Sequence, residues 1–188
     1  MNQLERSPTS SRRRLLVGCA GAIALASAGC LGDDDVEPIS LGGERACDVC
    51  GMIIADHPGP VGQIHFVDDE PEGGRPAQFC SSTCAYTYRF DAADAGREPL
   101  ATFLTDYSLV DQAVIDHGDD VAFSSHVEAD AFSSTAELTV VVGGDVIGAM
   151  GPDPIPFSDD ADVDAFLAEY GGEPVDAESV DRATVDGS

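Results

Sequence analysis

Two cysteine pairs constrain this chain more than any other feature: Cys47-x2-Cys50 and, after 29 intervening residues, Cys80-x3-Cys84. Three chemistries compete for them. Disulfides are open to four cysteines in three connectivities, although nothing around Cys47–Cys50 has the βαβ context of a dithiol redox motif. A structural zinc ion suits a C-x2-C knuckle facing a second pair at a helix start, where the helix N-terminus stabilises thiolates. Copper(I) accepts two or three soft ligands from the same set.

Cys50-Gly51-Met52 favours the soft ion. Gly51 permits a turn tight enough for a thiolate and a thioether to face one ion, and zinc has little use for a thioether. A lone methionine is ordinarily a core filler. After the initiator, however, the chain has only Met52 and Met150, each beside a glycine (Gly51 and Gly151) in a loop-like context. His57, in a turn close behind Met52, and His65, on an apolar alternating run, are candidate imidazole donors, with solvated side chains as the alternative.

The N-terminus bears on the compartment. Arg12-Arg13-Arg14 precedes a short apolar run, Leu15–Ala28, which ends in small residues before Cys30. This reads as a twin-arginine export signal over 1–29 with Cys30 as the lipid-attachment site; an uncut N-terminal anchor is the alternative. The protein is therefore expected outside the cell membrane, anchored to its outer face. Residues 30–45, including the acidic LGDDDVEPISLG, read as a flexible tether.

Charge excludes some functions. Acidic residues number 35 and basic ones nine, all arginine. Loss of the signal, with four arginines and one glutamate, takes the net charge from −26 to −29. Such a surface repels nucleic acid and anionic lipid. Acid spread evenly over a lysine-free chain reads as adaptation to very high salt, as in an extreme halophile, rather than as a binding surface.

The remaining chain divides into short apolar runs and turns. Strands are expected at Val61–Val67, Pro76–Phe79, Leu100–Tyr107 and Glu137–Val142, with Gly143-Gly144 turning the last into a hairpin that returns over Asp145–Ala149. Ser81-Ser82 cap a helix through Ala92 that carries Cys84 on its first turn, and Ser158 caps another through Tyr170, ended by Gly171-Gly172. The expected fold is α+β: two small β-rich units, each with a packed helix, at 46–93 (cysteine-rich, metal-binding) and 94–175, followed by an acidic tail at 176–188 that frays.

These residues resemble a known family. CDVCGMIIADHPGPVGQIHF is similar to the cysteine–glycine–methionine signature of the NosL family, membrane-anchored accessory lipoproteins of nitrous oxide reductase. FCSSTCAYTYRFD stands where that family has a cysteine at a helix start. LTDYS and AMGPDPIPFSDDADVDAFLAEYGGEPV resemble its later strand, Met-Gly loop and final helix, so the likeness runs from Ala46 to Val175. It implies a copper(I) metallochaperone, not an enzyme, that serves denitrification by delivering copper to nitrous oxide reductase with a membrane ABC-type assembly complex. It carries Cys50 and Met52 over as copper ligands, with Met150 as a thioether from the second half, and it implies two small α+β units. Cys80 together with Cys84 departs from the family pattern and resembles TRASH and YHS-like heavy-metal modules. Cys47, Cys50, Cys80 and Cys84 are then either a zinc-holding, treble-clef-like interaction module or a thiolate cup offering copper more sulfur.

No nucleophile–base arrangement or phosphate-binding glycine loop stands out, so a carrier is favoured over an enzyme.

Overall fold

Strand β1 (Gly62–His65) forms within the alternating run that begins at Val61, and the cysteine-bearing half is built around it. The structure, a computed structural model, describes residues 36–67, 71, 74–111, 114–118 and 120–186. The expected export signal, Cys30 and the first part of the tether lie outside the described residues.

β1 pairs antiparallel with β2 (Ala77–Phe79) on one edge and with β3 (Ala101–Thr105) on the other. β3 in turn pairs with β6 (Phe132–Ser134), giving the order β2-β1-β3-β6. All of β1 is buried. Its polar Gln63 is tolerated because the side-chain amide accepts from Ile39 N–H and donates to Ile39 C=O, each at 2.9 Å.

Ile39 lies in the stretch expected to be a solvated tether, and that expectation is corrected for its described part. Leu41 is fully buried and its N–H donates to Val127 C=O at 2.7 Å, while Val36 and Ile39 pack against the core. Three apolar side chains spaced among the acids are enough to dock the segment.

Helix α1 (Ser82–Asp94) follows β2 directly and packs over β1 and β2. Its N-cap is Ser81, as expected; the Ser81 hydroxyl accepts from Cys84 N–H at 2.9 Å.

A second sheet places β7 (Thr139–Val142) between β10 (Ile155–Phe157) and β11 (Glu173–Asp176), both antiparallel to it. A third runs β4 (Val114–His117), β5 (Asp120–Phe123), β8 (Val146–Gly148), β9 (Gly151–Pro152), with β5 and β8 parallel. The expected β7–β8 hairpin is therefore absent. Gly143-Gly144 serve instead as a crossing point: a Cβ on Gly144 would lie 3.1 Å from the Phe166 ring and 3.2 Å from Gly171 C=O. Asp145 N–H donates to Tyr170 C=O at 2.9 Å, which sends the chain past β7 toward β5.

Helix α2 (Asp160–Tyr170) forms where expected but is capped by Asp159, which accepts from Ala161 N–H, not by Ser158. Ser158 N–H is engaged by the Asp106 carboxylate at 3.1 Å. The described chain from Glu173 to Asp186 is paired and packed rather than frayed. β11 pairs with β7, and Ala177, Val180 and Val185, the last on the short helix α3 (Arg182–Asp186), are buried.

The interior has two apolar centres, each with its helix, in keeping with the expected α+β class. Ile64, Phe79, Tyr86 and Leu104 belong to the first with α1; Phe123, Phe157, Val163 and Phe166 belong to the second with α2. Val140 faces the first and Val141 the second, so β7 is the wall between them. No helix among the described residues is long and apolar enough to cross a membrane.

Candidate metal centre

Residues 46–53 form a knuckle. Cys47 N–H donates to Met52 C=O at 2.8 Å, Gly51 N–H donates to Cys47 C=O at 2.9 Å, and Ala46 bridges Ile53. Gly51 sits at φ +77° with open space around it, so conformation rather than crowding demands a glycine there. The turn buries Cys47 and leaves Cys50 exposed.

Asp48, inside the first pair, fastens this knuckle to the strand that delivers the second. Its N–H donates to Gln78 C=O at 2.8 Å. Its carboxylate accepts from Gln78 N–H at 2.7 Å and from both terminal nitrogens of Arg75, each at 2.7 Å. β2 then leads straight into Cys80, and the first turn of α1 carries Cys84.

That first turn has a second anchor. The Asp153 carboxylate accepts from Ser82 N–H at 3.2 Å, Thr83 N–H at 2.7 Å and Thr83 Oγ1 at 2.8 Å. Burial pushes its carboxyl up to about 7, against the pull of those donors.

The outcome is a four-sulfur cluster. The Sγ atoms of Cys47, Cys50, Cys80 and Cys84 all lie within 4.8 Å of one another, with Cys50–Cys80 at 3.4 Å and Cys80–Cys84 at 4.0 Å. Tetrahedral zinc with ordinary zinc–sulfur bonds needs sulfurs ~3.8 Å apart, so the cluster is close to metal-holding size. All four are free thiols. The neighbouring Cys80 and Cys84 thiols lower the Cys47 thiol below the usual range. The same contacts push Cys80 far up and Cys84 up to about 12.

Each of the other predicted donors has its own setting. Met52 is half-buried against the first core. Met150 is 49% exposed in the turn between β8 and β9. His57 follows the short 3-10 turn Ile54–Asp56 and is half-buried. His65 is buried in β1, edge-on to Phe103, with Nε2 3.3 Å from Gln63 Oε1. No imidazole or carboxylate among the described residues joins the four sulfurs. Sequence reasoning missed Asp48, Arg75 and Asp153. Only Asp48 had a local signal, its position inside the C-x2-C turn.

A family model described as NosL matches residues 38–185. The copper-binding lipoprotein NosL of Stutzerimonas stutzeri is 28% identical over 149 residues, which span 79% of this chain and 68% of that one. The crystal structure of the copper chaperone NosL from Shewanella denitrificans shares the fold, with a TM-score of 0.61 at 23% identity, covering 77% of this chain and 95% of that chain.

Proposed function

The chain belongs to the NosL family, and we propose that it is a copper(I) metallochaperone, carrying its cargo on the sulfur cluster rather than catalysing a reaction. One observation carries the reading: four cysteine sulfurs converge within 4.8 Å with no oxygen or nitrogen donor among them in the described residues. Such a site excludes magnesium and calcium by softness.

The burial pattern suits a carrier. Cys47, Cys80 and Cys84 are buried, while Cys50 is exposed at the knuckle tip. A buried trio retains the ion, and an exposed thiolate lets an incoming ligand share it before it leaves. Cys50 and Met52 are the first ligands in this scheme; Cys47, Cys80 and Cys84 supply further sulfur, Met150 a thioether from the hairpin tip, and His57, five residues after Met52, a spare imidazole. The name of the Stutzerimonas relative, a copper-binding lipoprotein, supports the cargo and a lipid anchor; the sequence reading places that anchor at Cys30, after twin-arginine export. The recipient would be nitrous oxide reductase or its ABC-type assembly complex, reached from the outer face of the membrane.

The near-tetrahedral spacing favours a second reading, a closed zinc tetrathiolate that stabilises an interaction module. Metal titration separates the two. Reduced protein is titrated anaerobically with copper(I) against a competing chelator. The carrier reading predicts that Cys50→Ser and Met52→Leu each weaken copper(I) binding, by about 10- to 100-fold if they act like other metal-site residues. Copper(I) binding indifferent to both substitutions would overturn it.

A further inference from the structure

We propose that Asp153 is a positioning residue that bolts the Met150 hairpin to the start of α1, so that the exposed thioether and the cysteine sulfurs are presented as one site. The proposal rests on the copper(I) reading above and adds to it a residue that is not a ligand.

The hairpin is short and its geometry is explicit. Ile147 pairs with Pro152 and Gly148 with Gly151, leaving Ala149 and Met150 as a two-residue tip. Ala149 packs against the first core, whereas Met150 stays 49% exposed. An exposed methionine on a tight tip contributes little to packing.

Asp153 follows β9 immediately. It is 4% exposed, and its three hydrogen bonds all go to Ser82 and Thr83, which lie between Cys80 and Cys84. The helix already has a local N-cap in Ser81, bonded to Cys84 N–H. Asp153 takes the N–H groups that Ser81 leaves, from a segment 70 residues away. Gly148 is shaped to the same purpose: a Cβ there would stand 2.9 Å from both Cβ and Cγ of Asp153 and collide with its carboxylate oxygen. Hairpin, carboxylate and helix start are therefore locked as one body, and motion of the Met150 tip relative to Cys84 requires these buried bonds to break.

The test is a double-mutant cycle on the full chain, read as copper(I) affinity against a chromogenic copper(I) chelator under anaerobic, reducing conditions. Met150→Leu is expected to weaken binding about tenfold in the parent, the scale of a lost metal-site residue. In an Asp153→Asn background, where one clamp oxygen becomes an NH2 that cannot accept from the Ser82 or Thr83 N–H it faces, the same substitution should cost less than about twofold, the coupling that neighbouring residues show and independent ones do not. An equal loss in both backgrounds overturns the proposal. Should Asp153→Asn fail to fold, Thr83→Ala removes one of the three bonds; there the cost of Met150→Leu should fall below its parental value, and an undiminished cost overturns the proposal. Met150→Leu without effect in the parent also overturns it. Loss of binding on Cys50→Ser would then show that the carrier reading survives, whereas a silent Cys50→Ser would remove that reading too.

Discussion

At Cys50 and its neighbours a few atoms decide which sulfur faces solvent. The knuckle exposes one sulfur and buries another three residues earlier, and this depends on Gly51 at φ +77°. Gly51→Ala should cost roughly 1–2 kcal/mol of stability through the left-handed backbone alone, visible as a lower urea midpoint. Asp48 is the second such residue. Asp48→Ala leaves Gln78 N–H and the Arg75 guanidinium without their carboxylate. It should cost about 2 kcal/mol and weaken metal binding, whereas Asp48→Glu should not restore the two-point bond to Arg75. Denaturant unfolding and copper(I) competition on the two variants check this. The four cysteines and Gly51 were legible because few residue types can do what they do. Asp48 and Asp153 were not: in a chain with 35 acidic residues a single structural carboxylate carries no compositional signal.

Among elements, α1 is the one on which the site depends, because it is capped twice by residues that touch the cysteine-bearing turn. Ser81→Ala should destabilise the fold by about 1 kcal/mol, the usual value of such a cap. Asp153 makes stability depend on pH in a definite direction. Its carboxyl titrates at about 7 when folded, against 3.8 ordinarily. The folded state therefore holds that proton more tightly, and the stability it contributes is full below about pH 4 and lost as pH rises through about 7. The stability of the metal-free parent relative to Asp153→Asn should accordingly fall between pH 5 and pH 8, measured by urea unfolding at each pH; a constant difference would contradict it. The helices and β1–β3 were legible from caps and alternation. The partner of β8 was not, since Gly143-Gly144 reads locally as a hairpin turn and only packing against α2 shows it to be a crossing.

Over the whole molecule, the described ion pairs use Arg75, Arg89 and Arg182, leaving a large excess of carboxylates. Mutual repulsion of that surface is screened by salt. The melting temperature should rise by at least about 5 °C between about 0.1 M and about 2 M salt; a flat response would mean that the charge is already balanced locally. The docked segment at 36–42 and the ordered end at 173–186 were hidden by the same acidity, because a few apolar residues did the docking while composition suggested solvation.

A cluster built for copper(I), as proposed above, should choose it over zinc. Reduced apo-protein is offered equimolar copper(I) and zinc together under anaerobic conditions, and the metal retained after desalting is measured. Retained copper, with zinc in the flow-through, is the predicted result; retained zinc, with copper in the flow-through, would contradict it.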